Sequence, residues 1–328
     1  MRPFEYATPE DRDQVAGLLG PPGSGGAILA GGTDLLALMK DEVVTPKRLV
    51  NIKLLPGLQG IQHTSEGLWI GALTLIQDAA ESALLQQEYP AVAAACAQAA
   101  SPQIRNLATM GGNLCQRPRC WYFRNGFGLL AMKDGKSLAA EGDNRYHAIL
   151  GNQGPAKFVS PSSIAPILLA YGASVTIDGE GRQRVAALEK FFRIPQKQDE
   201  REHDLAPTEM VTGIVLPGKP VPAAATRAAI YEVRQRRTFD WPLATAAVVL
   251  TMEGGLVSGA RVVMGHVAPV PWVSAEAGQA LVGKPLTAET AAAAAAAATA
   301  KATPLKHNAY KVQLARVAVK RALLAASS

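Results

Sequence analysis

The sequence predicts an α+β protein in two domains. The first combines a small α/β subdomain with a mixed, largely antiparallel sheet; the second is a smaller unit of three antiparallel strands and helices. Three observations carry this reading. Residues 1–60 alternate strand-like and helix-like stretches with glycine turns between them. Hairpin signals follow, with short apolar runs on either side of Thr64-Ser65-Glu66-Gly67 and of Asp178-Gly179-Glu180-Gly181. The Pro- and Ala-rich stretch Lys219–Ala225 then breaks the pattern and sets the domains at 1–218 and 225–328. A chain of 328 residues is long enough to build both cores.

In chain order, Phe4–Tyr6 reads as a strand and Thr8 as the cap of a helix running to Leu19. Ala27–Ala30 is a buried strand that enters a Gly-Gly-Thr-Asp turn, and Asp34–Lys40 begins a helix. Arg48–Ile52 is a further apolar strand. Gly60–His63 and Gly67–Gly71 form a hairpin, and Thr74 is placed to cap the next helix. Ala91–Ala100 is nearly all apolar and should be buried; Ser101-Pro102 stops it. The insert Asn125–Glu141 reads as a loop. Ile164–Tyr171 is a helix that Ser163 can cap. Ala173–Ile177 and Gln183–Ala186 form a hairpin, and Leu188–Phe192 a short helix. Gln196–Pro207 is charged and reads as a mobile loop, and Met210–Leu216 closes the sheet. In the second domain Ala229–Arg234, Ala244–Met252 and Leu256–His266 are strands, and helical structure begins at Trp272. Thr287–Ala302 is an Ala-rich helix ended by Pro304. Ala309–Leu324 is the last helix, with Val312, Ala315, Val319 and Leu323 on one face.

Composition excludes several classes. The formal net charge of +6 is mild and dispersed. Its densest run, Arg234, Arg236 and Arg237, is too short for a nucleic-acid track. The excess is a solvated surface or a docking face for an acidic partner subunit. The N-terminus is neither a signal nor a transit peptide, and no apolar run is long enough to span a bilayer. A cytoplasmic protein is the default, with export alongside a partner as the exception. Three cysteines do not make a disulfide framework. Cys96 sits in an apolar helix as a small buried hydrophobe. No Ser–His–Asp spacing, metal-ligand His pair or supported carboxylate dyad is present, so no catalytic and no metal-ligating residue is assigned.

Two loops stand out. Leu29–Leu36 (LAGGTDLL) and Thr109–Asn113 (TMGGN) each hold paired glycines, which let backbone approach a ligand closely. Thr33, Asp34, Thr109 and Asn113 flank the glycines with polar groups suited to phosphate or flavin edges. The strand–glycine turn–helix around Gly31 and Gly32 invites comparison with a dinucleotide-binding fold. Its spacing is not G-x-G-x-x-G and no suitably placed acid follows, so a Rossmann reading is rejected. Backbone N–H groups at the helix start can still hold a pyrophosphate.

With their flanks, AGGTDLL and ATMGGNLCQRPRCWYFR resemble the FAD subunit of the molybdenum hydroxylases, the xanthine dehydrogenase and carbon monoxide dehydrogenase family. The extended stretch through GDNRYHAILGNQGP is most similar to the FAD subunits of bacterial aldehyde oxidoreductases. The resemblance covers essentially the whole chain. It implies a PCMH-type FAD-binding domain followed by a small flavoprotein C-terminal domain. It implies FAD held by Leu29, Ala30, Gly31, Gly32, Thr33, Asp34, Leu35 and Leu36, and by Ser101, Ile104, Thr109, Gly111, Gly112, Asn113, Ser163 and Leu216. The flavin ring would lie between the domains, with Tyr231 and Arg234–Arg237 at its edge, at a subunit surface, or simply solvated on a strand. Relatives usually carry Asp at the Ser163 position.

The resemblance also implies partners: a large subunit with a molybdenum cofactor and a small subunit with [2Fe–2S] centres. Aldehyde oxidoreductase relatives add a [4Fe–4S] cluster on cysteines in the region of Cys115 and Cys120 and further along the insert. Here Cys115 and Cys120 are spaced Cys-x4-Cys and no cysteine follows Cys120, so no four-thiolate cluster is expected. A Cys115–Cys120 disulfide is the alternative, which a reducing cytosol disfavours. His147 is a structural residue or a flavin-edge group. The reading is an FAD-carrying electron-transfer subunit. A stand-alone FAD oxidase and a scaffold without flavin are its rivals, and a visible spectrum separates the last from the others.

Overall fold

A computed structural model describes residues 1–218, 225–236 and 240–327. Most of the expected break at 219–225 and the end of the Arg234–Arg237 cluster lie outside these residues. The chain opens with a three-stranded parallel sheet ordered β1–β3–β2, made of β1 (Glu5–Ala7), β2 (Gly26–Leu29) and β3 (Arg48–Asn51). Parallel neighbours require crossovers, supplied by α1 (Asp13–Leu19) and α2 (Leu35–Lys40). Val15 and Leu19 of α1 pack on Val50 of β3. Thr8 does not cap α1: the helix starts later because the Asp11 carboxylate accepts the amide of Gln14 at 3.0 Å.

The second layer is a five-stranded antiparallel sheet. Its hairpin of β4 (Ile61–Thr64) and β5 (Gly67–Gly71) is where the turn residues placed it. Five helices follow: α3 (Ile76–Glu81), α4 (Ala83–Glu88), α5 (Pro90–Gln98), α6 (Pro102–Arg105) and α7 (Met110–Cys115). Thr74 does not cap α3, because its hydroxyl is spent on both backbone groups of Gly60, each at 3.0 Å. Next comes α8 (Trp121–Arg124), and the insert after it holds a hairpin of β6 (Met132–Lys133) and β7 (Lys136–Ser137), then α9 (Leu138–Glu141). The insert is therefore more than a loop. Phe123, Leu129 and Leu130 bury themselves against Leu38 of α2 and Phe158, giving the insert a small core of its own.

Beyond it lie α10 (Ala165–Ala170), β8 (Ser174–Gly179), β9 (Arg182–Ala187), α11 (Leu188–Phe191) and β10 (Met210–Pro217). The sheet order is β4–β5–β10–β8–β9, so the last strand enters the middle, not an edge. Seven of the eight residues of β10 are buried, which suits a central strand. The charged segment 196–207 is anchored at one point. Glu202 and His203 are buried, and His203 bridges back to Phe192.

The second domain is a four-stranded antiparallel sheet of β11 (Thr226–Val233), β12 (Ala244–Glu253), β13 (Leu256–Gly265) and β14 (Trp272–Val273). Trp272, expected to open a helix, pairs with Met264 as a short fourth strand. Three helices cover one face: α12 (Ala275–Leu281), α13 (Ala288–Ala298) and α14 (Tyr310–Ala325). Ser274 and Thr287 cap the first two. Ala315, Val319 and Leu323 of α14 bury as the periodicity requires. The other face meets the first domain, where α10, wholly buried, shares a core with Ala247 of β12 and Val263 of β13.

Two buried polar groups lock this junction. Lys311, 1% exposed, donates to the carbonyls of Tyr146 (3.1 Å), His147 (3.1 Å) and His266 (2.7 Å). One ammonium thus pins α14 to the 144–152 segment and to the end of β13. Burial pushes Lys311 down to about 7, while the three carbonyls hold its charged form. His266 sits between Thr245 Oγ1 at 2.9 Å and the carbonyl of Pro161 at 3.3 Å. A carbonyl only accepts, so Nε2 carries the proton and Nδ1 accepts from Thr245.

Lys311→Met strands three carbonyls and should cost on the order of 3 kcal/mol in chemical denaturation; an unchanged midpoint would remove the lock. Burial also pushes His147 and His203 down to about 4 and His266 to about 3, from an ordinary 6.5. The unfolded chain therefore takes up more protons on these histidines below pH 6.5, so their contribution to stability is full above that value and is lost as pH drops towards 4. His266→Gln should flatten the melting-temperature profile between pH 6.5 and 5.

Candidate functional site

The first turn is shaped by what precedes and follows it. β2 buries Leu29 and delivers the chain into Ala30–Asp34, after which α2 begins. Gly32 stands at φ +73°, a conformation that side chains rarely adopt. Gly31 has no room for one. A Cβ there would lie 1.9 Å from the carbonyl oxygen of Leu107, so only glycine lets this turn rest on the segment that leads into the second.

The second turn is assembled from several caps. Ser101 accepts the amide of Ile104 at 3.4 Å, and the Ile104 carbonyl takes the amides of Leu107 and Ala108 at 3.0 and 2.7 Å. Ile76 N bonds Ala108 O (2.9 Å) and Met110 N bonds Thr74 O (2.9 Å), joining Thr109 to Leu75 as an isolated bridge. Gly111 donates to Ala72 O at 2.8 Å, and a Cβ on it would stand 2.8 Å from that of Ala72. Thr109 caps α7 by accepting from Gly112 at 3.1 Å. Gly112 itself is exposed, and an added Cβ would meet only the Thr109 hydroxyl.

The two turns therefore touch, and their backbone amides divide the work. Among the described residues, the amides of 31–35 donate no hydrogen bond. Those of Met110, Gly111, Gly112 and Asn113 are all spent within the protein. Free N–H groups at a helix start suit a phosphate, and here they belong to the first turn alone. Leu36, Ile104 and Leu107 are 37%, 38% and 59% exposed beside the turns and offer an apolar rim. Leu107 was not singled out in the sequence; an exposed leucine between a capped turn and paired glycines was the available signal. These features fit a flavin nucleotide: unpaired amides, backbone within reach, and apolar surface for a ring.

Other expected residues are placed differently. Leu216 is fully buried in β10 opposite Leu68, so its side chain belongs to the sheet's core. Ser101 is 2% exposed and serves α6 as a cap. Asn113 accepts from Ser162 Oγ at 2.6 Å, and Ser162, not Ser163, takes the amide of Ala165 at the start of α10. Ser163 lies against the Glu232 carboxylate, which burial pushes up while Arg234 and Ser163 pull it down. Arg234 pairs with Glu232 and donates to Gln98 O at 2.8 Å, so it is a half-buried domain-junction residue. The Asp34 carboxylate is engaged by Arg119 and Arg124 at 2.9 and 2.8 Å and by the amide of Arg117 at 2.7 Å. Those arginines lie far along the chain and have no local sequence signal.

All three cysteines are free thiols. Burial pushes Cys115 up to about 12 and raises Cys120, whose sulfur stands 3.1 Å from His147 Nε2. Thiol and imidazole are both neutral at pH 7, which is not the environment of a reactive thiolate. Among the described residues no three His, Cys, Asp or Glu side chains gather to hold a metal. Two cavities of about 240 and 290 Å³ share Arg12 and Gln183 and lie over the five-stranded sheet; neither is lined by a residue of the two turns. No helix among the described residues is long and apolar enough to cross a membrane.

Comparison with known proteins gives the family. Residues 2–219 match the FAD binding domain in molybdopterin dehydrogenase, and residues 229–326 the CO dehydrogenase flavoprotein C-terminal domain. The chain is 33% identical to the aldehyde oxidoreductase FAD-binding subunit PaoB of Escherichia coli, over 89% of this chain and 88% of that one. It is 31% identical to the carbon monoxide dehydrogenase medium chain of Hydrogenophaga pseudoflava, over 98% and 96%. A solved carbon monoxide dehydrogenase from the same organism superposes with a TM-score of 0.78 at 30% identity, over all of this chain and 99% of that one. With its two matched domains in order along nearly its full length, this chain belongs to the FAD-binding subunits of the molybdopterin dehydrogenase family, a subunit of an FAD-dependent oxidoreductase.

Proposed function

We propose that this chain holds FAD at its two glycine turns and relays electrons. They would arrive from [2Fe–2S] centres of a small partner subunit, fed by a molybdenum cofactor in a large one, and leave to an external acceptor. The observation that carries this is the contact of the turns, with free amides on one and an exposed glycine on the other. In this reading the amides of 31–35 hold the diphosphate, and Gly112 lets backbone pass close to the nucleotide. Leu36, Ile104 and Leu107 shield a ring from water, and Asn113, steadied by Ser162, presents its amide N–H groups. FAD supplies the redox chemistry, while the protein supplies position and electrostatics. The division of labour fits the residues: no acid–base constellation stands at the turns, so substrate oxidation belongs to another subunit. The relatives' names support partners, since they are medium chains and FAD subunits. Three free thiols suit a reducing compartment.

A pair of substitutions separates ligand approach from folding. Gly112→Val meets only the Thr109 hydroxyl that caps α7, so it should weaken FAD binding tenfold or more while costing about 1 kcal/mol of stability through the disturbed cap. Gly31→Ala drives a methyl into the Leu107 carbonyl and should lower stability itself. Flavin absorbance and fluorescence after purification measure the first, and calorimetry the second. Full FAD loading in stable Gly112→Val protein would move the site elsewhere. A native complex without flavin bands would favour the scaffold reading.

A further inference from the structure

The first turn and residues 117–124 meet at one carboxylate. Asp34, 15% exposed in its side chain, accepts from the Arg117 amide on Oδ2 at 2.7 Å. On Oδ1 it accepts from Arg119 Nη1 at 2.9 Å and Arg124 Nη2 at 2.8 Å. Arg124 also donates to the carbonyls of Pro118 and Arg117 at 2.9 and 3.1 Å, which closes residues 117–124 into a compact ring. Arg119 lies with its guanidinium 4.3 Å from the ring centroid of Trp241, in the second domain. Arg117 reaches the other way, to buried Glu202. One acidic side chain in the glycine turn thus gathers an arginine strap that spans from the 196–207 segment to the C-terminal domain.

The charges in this cluster do not cancel. Three guanidinium groups pair with two carboxylates beside the free amides of 31–35, and Arg201 adds a fourth cation against Arg117 and Glu202. Such an excess attracts an anion. The carboxylate in the turn opposes it locally, so its presence there needs a reason beyond charge.

We propose that Asp34 is a positioning residue for the flavin nucleotide: it does not touch the diphosphate, but draws the strap of residues 117–124 against the first turn, with Arg119 stacked on Trp241 as the wall that joins the two domains over the site. The proposal rests on the assignment of FAD to these turns. It differs from a direct role for Asp34 in the sign and coupling of its effects. If Asp34 acted only as a negative neighbour of the diphosphate, removing its charge would tighten binding. If it acted on the nucleotide itself, the arginines would be irrelevant to that effect.

The test is a double-mutant cycle on the full chain, stripped of flavin and titrated with FAD by fluorescence. Asp34→Asn and the pair Arg119→Gln with Arg124→Gln should each raise the dissociation constant about tenfold. Asp34→Asn added to the arginine pair should change it less than threefold further. The visible circular dichroism of the residual bound flavin should change in the same way in both variants, and Arg119→Lys, which keeps charge but not the planar stack, should recover only part of the affinity. The arginine pair leaves the turn's own sequence intact, so its result stands even if Asp34→Asn folds poorly. Wild-type affinity in the arginine pair, tighter binding by Asp34→Asn, or a full further tenfold loss in the triple variant each overturns the strap. Wild-type chain that binds no FAD overturns the flavin assignment beneath it.

Discussion

The site depends on a close approach of two backbones. Gly31 rests on the carbonyl of Leu107 with no space for a methyl group between them. Everything else at the site is built outward from that contact. It requires β2 to deliver the first turn at one height, and it requires the caps at Ser101 and Thr109 to deliver the second. A turn whose amides are all paired makes a rigid wall, and a turn whose amides are free makes a cradle. This chain places one of each side by side. Rigidity on one side keeps the cost of ordering the site low when an anion arrives, which is the general advantage of a preformed site.

The insert shows how the same fold holds a long excursion by ordinary means. Its apolar residues form a core with α2, its hairpin pairs two short strands, and the arginines just before it converge on Asp34. The two thiols that precede it are half-buried and protonated, so they act as small apolar groups. Residues 117–141 are therefore coupled to the first turn through charge and packing, and the second domain joins through the stack of Arg119 on Trp241 and the lock at Lys311.

Local signals in the sequence were read well, and distant ones were not. Paired glycines, turn formers and apolar periodicity located both turns, the hairpins and the last helix, because each reports on its own neighbourhood. Thr8 and Thr74 looked like caps, but Asp11 supplied a better acceptor in one case and Gly60 captured the hydroxyl in the other. Ser162 and Ser163 cannot be told apart as caps without knowing that Asn113 stands opposite the first. Glu202 and His203 sit in a charged segment that reads as solvated, and they bury only because Arg117 arrives from a remote part of the chain. The role of Asp34 was hidden for the same reason: its partners are brought to it by the fold, not by spacing.

The most direct test of the account is amide hydrogen exchange in the flavin-free chain and after FAD is added. Exchange should be fast at residues 31–35 without flavin and slow markedly with it, while residues 110–113, already paired, should change little. Equal protection of both turns by FAD would mean that the second also gives its amides to the nucleotide. No protection at 31–35 would contradict the central claim that the first turn cradles the diphosphate.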